Sequence, residues 1–123
     1  MKRIILCILG VTLLACGCVT RMAVKNNSQG PRAPKISYSE TSGDSYNEAI
    51  KITGAQKQSQ GVEAEYNWIS SKHGIKDKDW RIVGQVKIQE EGKLYDVIEI
   101  SLSSDSDRRI YYFDVSDFSW KRE

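Results

Sequence analysis

The chain has 123 residues, with 18 Lys and Arg against 16 Asp and Glu, one His, three Cys and a formal charge of +2. That length fits one compact domain with a modest core. All three cysteines lie within the first 18 residues, which excludes a disulfide framework in the folded part; with a single His, a closed four-ligand zinc site on Cys16 and Cys18 is excluded as well.

At the amino end, Met1, Lys2 and Arg3 precede an apolar run over residues 4–15 that only Gly10 and Thr12 interrupt. A basic start, about a dozen apolar residues and a small residue before a break form the pattern of a secretory signal peptide. The run is too short to span a bilayer, which takes roughly 20 apolar residues, and Arg21, Lys25, Asn26 and Asn27 follow it. The segment is expected to be removed.

Leu13-Leu14-Ala15-Cys16 resembles the lipobox of bacterial prolipoproteins: Leu, a small or apolar residue, Ala or Gly, then Cys. Leu14 is bulkier than the residue favoured at its place, and the neighbouring frame ending at Cys18 lacks the Leu. The resemblance implies a signal peptide over residues 1–15 and Cys16 as the acylated new amino terminus, with Cys18 as the alternative. Acyl chains such as palmitate would then anchor the protein, each buried methylene contributing ~0.8 kcal/mol. By the sorting pattern of enteric lipoproteins, Gly17 in place of Asp after the acylated Cys implies the outer membrane, facing the periplasm.

Residues 16–35 read as a flexible tether. They hold Pro31, Pro34 and a run of Asn, Ser, Gln and Gly without apolar periodicity. Such a chain has ends on the order of 25 Å apart. Without Lys2 and Arg3 the remainder is formally neutral, with 16 basic and 16 acidic side chains. The tether carries Arg21, Lys25, Arg32 and Lys35 and no acid, leaving residues 36–123 with 12 basic and 16 acidic groups. A net acidic domain with scattered cations does not suit nucleic acid.

Residues 36–123 are expected to form a small α+β domain. Residues 36–38 suggest a short extended piece. Ile50 and Ile52 alternate in a strand over residues 49–53 that Gly54 ends. Residues 61–74 predict a helix with Val62, Tyr66 and Ile69 on one stripe, Ala64 and Trp68 beside it, Glu63 and Glu65 at its positive end, and Lys72, His73 and Gly74 closing it. Ile82, Gly84, Val86 and Ile88 then alternate with Val83, Gln85, Lys87 and Gln89; residues 90–93 make a tight turn into a strand over residues 95–102; a polar loop over residues 103–108 leads to an aromatic strand over residues 109–115. The expected architecture is one amphipathic helix packed on a small antiparallel sheet in the order β-α-β-β-β.

The stretches Ala49-Ile-Lys-Ile-Thr-Gly-Ala55, Gly61-Val-Glu-Ala-Glu-Tyr66 with Trp68, Tyr95-Asp96-Val97 and Tyr112-Phe113-Asp114-Val115-Ser116 resemble short Gram-negative lipoproteins that have no assigned activity. The resemblance implies the same domain limits and an envelope lipoprotein, and carries no chemistry.

Candidate chemistry is sparse. His73, the one histidine, suits a helix end better than catalysis. No nucleophile elbow or phosphate-binding glycine loop is present, and no cofactor is implied. Asp96, Asp114 and Asp117 are the candidate carboxylates: hairpin pairing about residues 103–108 would set Asp96 and Asp114 near one sheet end, where they could hold a metal or act as an acid and base. Tyr95, Tyr111, Phe113, Phe118 and Trp120, clustered near the carboxyl end, are the candidate interaction surface, unless Phe118 and Trp120 fold back over it. The expectation is a lipid-anchored, non-enzymatic envelope module with a protein partner. The alternative is a small metal-dependent or acid/base hydrolase on the three aspartates.

Overall fold

The computed structural model describes Gly30, Arg32 and residues 34–123. The expected signal peptide, Cys16, Cys18 and most of the expected tether lie outside the described residues.

Five strands and one helix follow in the order β1 (Ser37–Tyr38), β2 (Ile50–Thr53), α1 (Gln58–His73), β3 (Trp80–Glu90), β4 (Lys93–Leu102) and β5 (Arg108–Asp114). They make one sheet in the spatial order β1-β2-β5-β4-β3. The domain is α+β, and the sheet is mixed where an antiparallel one was expected: β2 runs parallel to β5, with Ile50 opposite Phe113 and Lys51 opposite Asp114. The other pairings are antiparallel. From β2 the chain crosses through α1 to the far edge, and the β4-β5 meander fills the gap. Such a parallel crossover needs a covering element, which α1 supplies.

Ile50 and Ile52 of β2, Ile98 and Ile100 of β4, and Tyr111 and Phe113 of β5 form the face beneath α1, all buried. The helix meets them with Gly61, Ala64, Glu65 and Ile69. It begins three residues before the expected Gly61, from an extended Lys57 that provides no side-chain cap. Glu63 and Glu65 thus fall beyond the first turn. The free N–H of Ser59 is instead met by the carboxylate of Glu123 at 2.8 Å, and the Ser59 hydroxyl donates to the same group at 2.5 Å. An anion there satisfies an orphan donor and suits the positive helix end.

Two glycines are fixed by close approach. Gly54 has φ of 89°, in the left-handed region, and a side chain there would strike the Lys35 carbonyl. Gly61, in the first turn of α1, lies against the Phe118 ring, where a side chain would strike it. Glu91 and Gly92, with φ of 48° and 76°, make the two-residue turn between β3 and β4.

One irregularity organises the sheet. Ile82 pairs with Ile100 and Gly84 with Glu99, so Val83 is an extra residue on β3. The bulge reverses the alternation beyond it. Ile82 faces α1, but past the bulge Gln85 and Lys87 take that side, while Val86 and Ile88 turn to the open face; the uniform alternation over residues 82–89 does not hold.

Gly61→Ala should destabilise the domain by about 1–3 kcal/mol through overpacking against Phe118, despite a helix-propensity gain of about 1 kcal/mol. Phe118→Leu in the same chain should return part of that loss, as read by urea unfolding.

Candidate functional site

The described polar groups converge most closely under the middle of α1. Glu65, projecting from the helix, and Asp96, from β4, are both fully buried. Gln85 of β3 donates from Nε2 to Asp96 Oδ2 at 2.8 Å, and Tyr66 Oη donates to Gln85 Oε1 at 3.2 Å. Lys87 is the cross-strand partner of Asp96, and the Lys76 ammonium lies 5.4 Å from the centre of the Tyr66 ring. Both carboxylate oxygens of Glu65 and Oδ1 of Asp96 lack a hydrogen-bonding partner.

Burial above all, and then the adjacent Asp96 carboxylate, push the Glu65 carboxyl up to about 9, against a smaller opposing pull from Lys87. Two carboxylates in one apolar site cannot both ionise cheaply. At neutral pH Glu65 keeps its proton. None of the described depressions reaches this pair.

The three aspartates singled out in the sequence are not brought together. Asp114 pairs with Tyr95 and Asp96 with Phe113, so the hairpin register sets Asp96 and Asp114 at the same sheet end but on opposite faces. Asp114 Oδ1 accepts from the Ser116 N–H at 3.1 Å, a local turn bond. Asp117 lies 3.7 Å from the Lys121 ammonium. Among the described residues, no group of three or more His, Cys, Asp or Glu could hold a metal ion.

The aromatic cluster is mostly core. Tyr95, Tyr111, Phe113 and Phe118 are buried, and Trp120 alone is open, at 74 % exposure. Trp68 stands edge-on to Tyr111 and Phe113 at 5.1 and 5.8 Å. On the other face Tyr46 packs edge-on to Tyr95 and Tyr112 at 5.0 and 4.9 Å. A continuous aromatic strip is therefore not presented to solvent, because the helix and the tail cover the rings of one face and Tyr46 packs on those of the other.

His73 closes α1 and sits 2.6 Å through Nε2 from Tyr111 Oη. Burial, then Arg109 and Lys72, lower its pKa, which keeps it neutral at pH 7. It borders an open depression of about 450 Å³ with Lys72, Asp79, Leu102, Ser103 and Ser104. The Ser103 hydroxyl is committed to the Lys78 carbonyl at 2.7 Å and the Asp79 carboxylate to the Ile75 N–H at 2.7 Å. His73 therefore has Tyr111, not a serine, as its partner.

Sequence reasoning placed Glu65 at a helix end and passed over Gln85. Its signal was the spacing Gly61, Ala64, Glu65, Trp68, Ile69, a stripe at helical period with one carboxylate inside it. Comparison with protein-family models, curated proteins and solved structures finds no match to this chain.

Folded Glu65 releases its proton near pH 9 and unfolded Glu near 4.5, so the folded state holds the extra proton between those values and stability falls as pH rises through that window. Glu65→Gln removes this dependence. Its stability relative to the parent should be flat below pH 4.5 and rise by up to roughly 1.4 kcal/mol per pH unit towards pH 9. Urea unfolding at pH 4, 7 and 9 measures it, and parallel profiles would refute a buried, protonated Glu65.

Proposed function

We propose that this chain is a lipid-anchored lipoprotein of a bacterial cell envelope, acylated on Cys16, and that residues 36–123 are a non-enzymatic binding module held off the bilayer by the tether of residues 16–35. The outer membrane, on its periplasmic side, is the proposed site. The amino-terminal pattern of basic residues, a short apolar run and Leu13-Leu14-Ala15-Cys16 supports the anchor.

One observation supports the binding role: the chemistry-bearing side chains of the domain serve the fold. Glu65 and Asp96 are sealed under the helix, Asp114 closes a turn, and His73 bonds Tyr111. A hydrolase needs such groups convergent in a concave, wetted site. The large apolar side chains that the domain turns outward include Val86 at 54 % and Ile110 at 48 % exposure on the open sheet face, and Trp120 in the tail. Contact surfaces are built from such groups.

The anchor is tested by feeding cells an alkyne-bearing palmitate analogue. Label should enter the parent and Cys18→Ser chains and vanish from Cys16→Ser. Label lost with Cys18→Ser instead moves the anchor to Cys18, and no label in any chain overturns the lipoprotein reading. Trp120→Ala should change stability by less than about 0.5 kcal/mol, whereas Phe118→Ala should cost about 3–5 kcal/mol; thermal unfolding separates the exposed ring from the core one.

A further inference from the structure

The β3 edge carries a more specific assignment. We infer that β3 is a self-pairing edge: two copies of the chain join antiparallel along this strand, about a two-fold axis at Val86, into one continuous ten-stranded sheet. The pairing needs no lipid anchor and stands apart from that reading.

Strand β3 is 11 residues long; among the described residues its one strand neighbour is β4, and only Trp80 at its start is bridged on the outer side, by Lys76. Its outer rim of N–H and C=O groups from Arg81 to Glu90 has no strand beside it among the described residues, the arrangement that accepts an added strand. A symmetric pair must present the same patch twice, so the edge has to be complementary to itself when reversed. The bulge makes it so.

Counted outward from Val86 on one copy, Gln85 lies opposite the second copy's Lys87, and Gly84 opposite its Ile88. Val83 is the extra residue against the existing neighbour β4 and is extra against a new neighbour too. Beyond it, Ile82 falls opposite Gln89 and Arg81 opposite Glu90. Directly opposed residues in antiparallel strands must share a face, and every pair here does. Gln85, Lys87, Ile82 and Gln89 are on the helix side; Val86, Gly84, Ile88, Arg81 and Glu90 are on the open side. Without the bulge, Arg81 and Glu90 would fall on opposite faces.

The charges fit the same register. Arg81 and Glu90 are both exposed and neither makes an ion pair among the described residues. The two-fold brings each against the other twice, and no like charges stand directly opposed. At the centre, Val86 meets its own copy, covering a side chain that is 54 % exposed in the single chain. Ile88, over the second copy's Gly84, extends that apolar row across the join.

The test uses the full chain in its membrane. Val86→Cys should form, on mild oxidation, a reducible species of twice the chain mass. Ile110→Cys, 48 % exposed but two strands inward on β5, should not, and the oxidised parent chain supplies the background from its own cysteines. Arg81→Glu and Glu90→Arg should each weaken association by roughly tenfold, in sedimentation of the detergent-solubilised chain, while circular dichroism stays unchanged. Arg81→Glu with Glu90→Arg together should restore it. Crosslinking at Val86 no greater than at Ile110, a crosslink to a chain of different mass, or single losses that the double exchange does not repair would each overturn the assignment. The same crosslink in a Cys16→Ser chain separates its failure from failure of the anchor.

Discussion

A single extra residue, Val83, decides which side of β3 is polar and which is apolar, and the rest of the domain is arranged around that decision. Before the bulge Ile82 packs under α1; after it, Gln85 and Lys87 occupy the helix side beside Asp96, and Val86 and Ile88 turn outward. The polar cluster under the helix and the apolar row on the open face are two results of one backbone irregularity. Removing the bulge would put Val86 and Ile88 where Gln85 and Lys87 now serve Asp96, leaving that carboxylate without its 2.8 Å donor.

The helix fits this arrangement because its buried face is small. Gly61 and Ala64 allow close approach, and the bulk of the core comes from elsewhere: Trp80 from the start of β3, Phe113 from β5 and Phe118 from the tail. Filling a helix-sheet layer with rings from the flanks leaves little freedom at the contact points, as the Phe118 ring against Gly61 shows. The tail is drawn in further by Lys121, whose ammonium donates to the Ala55 carbonyl at 2.6 Å, and by Glu123 at the helix start. The carboxyl-terminal residues close both the core and the helix end.

What could be read from the sequence follows the range of the interactions responsible. The β3-β4 turn was legible because Glu-Gly between two alternating runs is a local signal, and the helix body because its stripe repeats within a few residues. The helix start was not: Gly61 reads as a breaker when it is a packing site, Lys57 gives no side-chain cap, and the carboxylate that meets the Ser59 N–H is 64 residues away. The parallel β2-β5 pairing joins residues about 60 positions apart in the chain and leaves no local trace. Asp96 and Asp114 were placed at one sheet end correctly, but a one-residue difference in register decides the face, and the pairing of Tyr95 with Asp114 puts them on opposite sides.

The buried carboxyls gain their meaning from the same geometry. A protonated Glu65 beside Asp96 costs stability at high pH, and a Leu or Met at either position would pack more cheaply. The gain is in specificity. With Gln85 bridging Tyr66 and Asp96, β3 is held to α1 and β4 in one register, and a slip by one residue would set Val86 against Asp96 in place of the Gln85 amide. A polar network that penalises the slipped register is a reason for an edge strand to keep a bulge and an outward valine in fixed places. On that argument Asp96, through Gln85, acts on the outer surface of the domain without touching it: it holds the strand whose open face carries the exposed Val86.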